Sequence, residues 1–163
     1  RAFSLIPKVV VLPKYKYFQY RLLHKILVTN KDLVKWKIRT CKACTFCESA
    51  DETIKHLLWD CTHARLLWQK LINWIVDITR TNIQFTCTEI MLGIEDENLM
   101  VFNTIFVIAK QYIYACRCKG ISPNFVHLKK IILYNKNIEK YIAMKNNSLN
   151  QFNRKWSLME QII

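Results

Sequence analysis

A chain of 163 residues, 52% apolar and with five tryptophans, can bury one substantial core or a small metal-centred unit packed on a helical one. Two glycines and three prolines are too few for the frequent turns of an all-β fold, and no apolar run reaches the roughly 18 residues of a membrane span. The net charge of +13 is uneven: residues 1–40 hold ten Lys and Arg against one Asp, residues 41–120 eight against nine acidic side chains, and residues 121–163 seven against two.

These numbers point to an all-α chain, mostly helical, with no membrane partner. A basic front and tail around a neutral middle suit a polyanion, of which RNA and DNA are the commonest. Seven cysteines without a secretory signal suit a reducing intracellular compartment. The chain starts with Arg rather than Met, and we read it as a piece of a longer polypeptide.

In chain order, the β-branched run Val9-Val10-Val11-Leu12, closed by Pro13, predicts a short extended segment. Lys14-Tyr15-Lys16-Tyr17 continues it, with lysines on one side and rings on the other. Bases could stack on such rings, though a core-facing aromatic pair is the commoner outcome. From Phe18 the period becomes helical: Phe18, Leu22, Leu23, Ile26 and Leu27 form the inner stripe, leaving Arg21 and Lys25 outside. Thr29 or Asn30 caps a second helix, Lys31 to about Ile38, with Leu33 and Trp36 inward. Lys31, Lys35 and Arg39 share its opposite face. With Arg21 and Lys25 they make the densest basic surface, our candidate nucleic-acid contact.

Next comes Cys41-Lys-Ala-Cys44-Thr-Phe-Cys47, then eight residues, then His56-Leu-Leu-Trp-Asp-Cys61. Cys44 and Cys47 stand at the spacing with which a tight turn brings two thiolates onto one cation. His56 and Cys61 complete a set of three sulfurs and one imidazole. That is a closed tetrahedral set for structural zinc, with no position left open for catalysis. Cys41 repeats the same spacing and could replace Cys44; Phe46 in a two-residue turn leading into the loop favours Cys44 and Cys47. His63 is read as a solvated side chain. A helix starting near Asp51 or Thr53 presents His56.

Beyond the cysteines, Ala64, Leu67, Trp68, Leu71, Ile72, Ile75 and Ile78 mark the clearest helix, with Arg65, Gln69, Asn73 and Asp77 opposite. Residues 79–87 read as a loop, and Thr88 to Gly93 as a short helix stopped by glycine. Asp96 caps a long helix with Phe102, Ile105, Phe106, Ala109, Tyr112, Ile113 and Cys116 inward, ended by Gly120. Cys116 and Cys118 read as packing thiols. Ser122-Pro123 opens a further helix built on Phe125, Leu128, Ile132, Ile138, Tyr141 and Ile142, with Lys129, Lys136 and Lys140 outside. A last amphipathic helix runs from Leu149 to Ile163 on Phe152, Trp156 and Met159. Residues 1–80 thus form a basic lead-in, knuckle and anchoring helix, and residues 81–163 a C-terminal helical region.

The run Glu52-Thr53-Ile54-Lys55-His56-Leu57-Leu58-Trp59-Asp60-Cys61 resembles the zinc-binding segment near the C-terminus of LINE-type, non-LTR retrotransposon reverse transcriptases. Phe18 to Leu27, Thr29-Asn30, Leu33, Trp36 and Ile38 are similar to its lead-in. Met91-Leu92-Gly93-Ile94 and the stretch ending in Trp156 resemble the family's tail. The resemblance is strong over residues 18 to 70 and weak beyond 90. It implies zinc ligands at Cys44, Cys47, His56 and Cys61, and a region that holds template RNA or target DNA during target-primed reverse transcription, within a nuclear and cytoplasmic ribonucleoprotein. The aspartates 32, 51, 60, 77 and 96 are never paired, and no Gly-rich phosphate loop occurs. We therefore expect an accessory, non-catalytic module, joined to the rest of the reverse transcriptase polypeptide. The alternative from another class is a protein-interaction module whose helices zinc clips together.

Overall fold

The computed structural model describes residues 12–160, all of whose regular elements are helical. The extended segment expected at Val9–Val11 lies outside them. The helices are α1 (Pro13–Leu23), α2 (Asn30–Lys35), α3 (Thr62–Thr79), α4 (Cys87–Leu92), α5 (Met100–Lys119), α6 (Phe125–Lys145) and α7 (Leu149–Trp156).

Helix α1 corrects the reading of the lysine–tyrosine run. Pro13 occupies the first helical position, where its fixed φ suits the helix and its missing N–H costs nothing. Lys14 to Tyr17 are therefore helical, not extended. Tyr15, Phe18 and Gln19 face the core while Tyr17 stays 63% exposed. The helix also stops four residues earlier than expected. Lys25 takes a left-handed φ of 56°, and the Ile26 and Lys25 amides donate to the carbonyls of Arg21 and Leu22. That is a Schellman closure without glycine. It turns Ile26 outward and Leu27 inward.

Lys37 ends α2 in the same way, with φ 60° and an Ile38 amide bonded to Leu33. So α2 closes at Lys35, and Trp36 is 53% exposed rather than inward. Its start is as expected: Thr29 accepts from the Asp32 amide, and Asp32 accepts in return from the Thr29 amide.

Helix α5 is the axis of the body. All ten residues from 101 to 110 are buried, so the expected single inner stripe is too narrow a description. The stretch Glu97–Lys119 is long and apolar enough, by length and composition, to cross a membrane, and 72% of its apolar window is buried inside the fold. Helices α1, α4, α6 and α7 and residues His56–Asp60 pack against it. Lys110, 1% exposed, donates to Gln19 Oε1 and the Met91 carbonyl, both at 2.8 Å. Burial pulls its pKa down to about 7.

Helix α3 buries Ala64, Leu67, Trp68, Leu71 and Ile75, as its periodicity predicts. Trp68 meets Phe106 edge-on at 6.0 Å and donates to the Leu58 carbonyl at 2.7 Å. Phe85 wedges against Phe102 and Phe106, with ring centroids 5.2 and 4.9 Å away, so the 80–86 loop closes over α5.

Two corrections fall in the C-terminal helices. Asn124, not Ser122, caps α6 by accepting from the His127 amide. The buried face then runs through Leu128, Ile132, Asn135 and Ala143, which leaves Tyr141 61% exposed. Helix α7 stops at Trp156 and passes into a 3-10 turn, Ser157–Met159, yet Phe152, Trp156 and Met159 are buried as expected. Glu139 fixes α7 to α6 by accepting from Lys155 Nζ at 2.6 Å and Trp156 Nε1 at 3.2 Å. Residues from both halves of the chain share one hydrophobic cluster.

Candidate metal centre

Residues 42–52 fold back on themselves in a tight loop. Ala43 and Asp51 form an antiparallel bridge, the Cys44 amide donates to Ala50, and the Glu52 amide donates to Lys42. Glu48, in the left-handed region at φ 54°, makes the reversal and bonds back to the Cys44 carbonyl. This loop presents Cys44 and Cys47.

The other two donors come from a different device. Thr53 accepts from the His56 amide, starting a helical turn that widens into a π turn over His56–Asp60. Its closing bond runs from the Cys61 amide to the His56 carbonyl, 2.8 Å. Residues five apart on an α-helix point roughly 140° away from each other. The wider π turn returns them to one side, which puts His56 and Cys61 over the same point. A π turn in place of the expected helix is thus what makes the His-x4-Cys spacing work.

The donor atoms of Cys44, Cys47, His56 and Cys61 all lie within 4.8 Å of one another. Cys44 Sγ and Cys61 Sγ are 3.9 Å apart, and Cys47 Sγ is 3.2 Å from His56 Nε2. A tetrahedron with bonds of about 2.3 Å to sulfur and 2.0–2.1 Å to nitrogen has edges of about 3.5–3.8 Å. The four donors therefore fit a zinc ion, and the set is closed. Cys41 is exposed and outside the cluster, its sulfur accepting from the Ala43 amide instead. His63 is half-buried against the Phe46 ring at 6.0 Å, not solvated, and takes no place in the cluster. Cys116 is buried as a packing thiol, whereas Cys118 is exposed.

The thiols are split electrostatically. Burial pushes Cys44 up to about 12. At Cys47 burial acts the same way, but hydrogen bonds from Ser49 and His56 outweigh it and bring the thiol to about 6. A bound cation would supply the charge that lets all three sulfurs be thiolates together, so loading releases protons.

Behind the donors stands a polar cluster that sequence reasoning missed. Glu52 is fully buried, yet every lone pair is used: Oε1 accepts from the Asn30 amide (2.9 Å) and Arg117 Nε (2.8 Å), and Oε2 from the amide and hydroxyl of Thr45 (2.8 and 2.6 Å). Asn30 Nδ2 donates to the Ala43 carbonyl, while its Oδ1 receives Arg117 Nη2 and Arg39 Nη1. Burial works against the Glu52 carboxylate, but Thr45, Asn30 and Arg117 together hold it below the usual range. Thr45 sits between two donors, so this cluster fixes the Cys44–Cys47 turn to α2 and to the end of α5. No local signal marks it, since Arg117 is 65 residues from Glu52.

The candidate basic residues divide. Lys25, Lys31 and Lys35 are exposed, the last two one turn apart on α2. Arg21 is half-buried, lying over the Tyr17 ring at 5.6 Å. Arg39 lies beyond the end of α2, so it does not share the lysine face, and its guanidinium is committed to Asn30.

Residues 2–68 match a family model described as zinc-binding in reverse transcriptase. The match spans all four clustered donors and both basic helices, so this part of the chain is similar to a reverse-transcriptase zinc-binding region. No curated protein and no solved structure gives a significant match.

Proposed function

We propose that this chain is the accessory C-terminal module of a LINE-type, non-LTR reverse transcriptase, and that it holds template RNA or target DNA during target-primed reverse transcription. The zinc-binding match and the closed Cys3His cluster support the module's type. Its role in binding rests on one observation. Lys31 and Lys35 stand exposed with the Trp36 ring on and at the end of α2, which Asn30 and Glu52 fix to the knuckle, and Lys25 stands exposed past the end of α1, which carries the exposed rings of Tyr17 and Tyr20. Asp32, the acid among them, is taken up in the α2 cap. Cations on a rigid support can follow a phosphate backbone, and rings between them can meet bases. The module works alongside the polymerase polypeptide, inside a nuclear and cytoplasmic ribonucleoprotein, and carries no catalytic residues of its own.

A salt titration tests this. On a labelled single strand each neutralised phosphate contributes about −0.7 to the slope of log affinity against log salt. Lys31→Ala with Lys35→Ala should flatten that slope by roughly 1.4 and weaken RNA and DNA alike. Absent or salt-independent binding by the folded, zinc-loaded chain would overturn the proposal. It would favour the second reading, a zinc-clipped protein-interaction module, for which the exposed Val126, Tyr134, Tyr141 and Met144 on α6 speak.

A further inference from the structure

The outer face of α1 is aromatic where a solvated helix face is ordinarily polar. Tyr17 is 63% and Tyr20 52% exposed, and His24 at the helix end is exposed too. At 100° per residue these three fall within about 60° of one another, on the far side from the buried Tyr15, Phe18 and Gln19. The His24 and Tyr20 rings lie against each other, centroids 4.2 Å apart, and the Arg21 guanidinium covers Tyr17 at 5.6 Å. Lys16 flanks the stripe on one side, Lys14 and Arg21 on the other, and Lys25 stands at its end. From residue 12 to residue 31 the chain holds five cations and no carboxylate.

We infer that the Tyr17–Tyr20–His24 face of α1 is a stacking platform for unpaired bases, so that the nucleic acid this module takes is single-stranded rather than duplex. This rests on the nucleic-acid reading above and adds to it the state of the strand. Rings at Tyr17, Tyr20 and His24 rise by about 4.5 and then 6 Å along the helix. A duplex keeps its bases stacked about 3.4 Å apart and shows a side face only phosphates and groove edges. A single strand can part its bases to match the rings, because every base has a π-face to offer. The flanking cations then meet the phosphates on either side of the stripe. A protein partner would need carboxylates to answer four cations around three rings, and a nucleic-acid strand brings both the charge and the flat apolar surface at once.

The test uses the whole zinc-loaded chain and three labelled probes of equal length: an oligo-dT strand, the same backbone without bases, and a duplex. The variants are Tyr17→Ala with Tyr20→Ala, and Tyr17→Phe with Tyr20→Phe. Both positions are solvent-facing, and an unchanged melting profile shows that the fold is intact. Wild type should bind oligo-dT at least about fivefold, and up to about a hundredfold, more tightly than the abasic strand for each base stacked. The double Ala variant, left with the His24 ring alone, should lose most of that preference and bind the abasic strand and the duplex as wild type does. The double Phe variant, which keeps the rings, should keep the preference. Equal wild-type affinity for oligo-dT and the abasic strand would overturn the platform while leaving nucleic-acid binding standing. Equal losses by the Ala variant on all three probes would overturn it too. No binding of any probe at low salt would defeat the parent reading, and the platform with it.

Discussion

The knuckle, residues 42–61, and the body built on α5 are held by opposite means. Around α5 ten consecutive residues are buried and the contacts are mostly apolar, with Phe85, Phe102, Phe106 and Trp68 ring against ring and Asn103 and Lys110 as hydrogen-bonded exceptions. In the knuckle Leu57 and Leu58 are buried too, but beside them the enclosed side chains are two thiols and one carboxylate, Cys44, Cys61 and Glu52. Apolar burial tolerates change in proportion to the surface lost. A ligand set and a saturated hydrogen-bond cluster fail when one member is removed. One protein thus contains a region that degrades gradually and a region that fails at a step.

Removing the metal should separate the two most sharply. Structural zinc contributes roughly 10–16 kcal/mol in small finger peptides, and here that energy is concentrated in residues 42–61. Cys44→Ser should lose its single equivalent of zinc and unfold the knuckle, while most of the helical circular dichroism, carried by α3, α5 and α6, persists. Cys41→Ser should keep both, because Cys41 lies outside the cluster. Elemental analysis with far-UV spectra reads both outcomes, and full unfolding of Cys44→Ser would show that the body depends on the knuckle after all.

The ties between the regions come next. Arg117, from the end of α5, and Trp68, through its bond to the Leu58 carbonyl, reach across. Arg117→Ala strands the Glu52 charge in the interior and should cost about 3–5 kcal/mol. Trp68→Ala should cost a similar 3–5 kcal/mol from lost packing. The two should differ in zinc affinity. Arg117→Ala should weaken it markedly, because Thr45 loses its anchor between two donors; Trp68→Ala should do so only as far as global stability falls. Denaturant melts in parallel with zinc competition separate them.

The smallest effect distinguishes the regions by pH. Lys110 has a pKa of about 7 in the fold against 10.5 when unfolded. Between those values the unfolded chain binds the extra proton, so the body should gain stability as pH rises from about 7 to 10.5, by on the order of a few kcal/mol. Glu52 is depressed instead, so its contribution is present above the ordinary carboxylate range and lost as pH falls below it. Lys110→Met should flatten the alkaline rise and leave the acid loss in place. An unchanged alkaline slope in that variant would mean the amine is hydrated in solution.

What could be read from the sequence follows the same division. The four donors were legible because their spacing is local, and α3 and α5 because their apolar period is long. Glu52 looked like one more acid in a polar loop, since the partners that bury it come from Asn30 and Arg117. The ends of α1 and α2 were misplaced because Lys25 and Lys37, not glycines, take the left-handed closing position. Tyr15 and Tyr17 were paired by an alternation that Pro13, opening a helix, had already overruled.

The π turn has a further consequence, for how this segment can change in length. An α-helix shortened by one residue keeps its hydrogen bonds but rotates everything before the gap by about 100° relative to everything after it. Residues 57–60 set that phase. One deletion there would make the turn an ordinary α turn with the two donors four apart, within about 40° of one face, so the pair would still meet one cation while α3 rotates behind it. One insertion would set them six apart, about 120° from each other on an α-helix. The step from His56 to Cys61 therefore tolerates the loss of a residue far better than a gain, as a ratchet lets a wheel turn one way only.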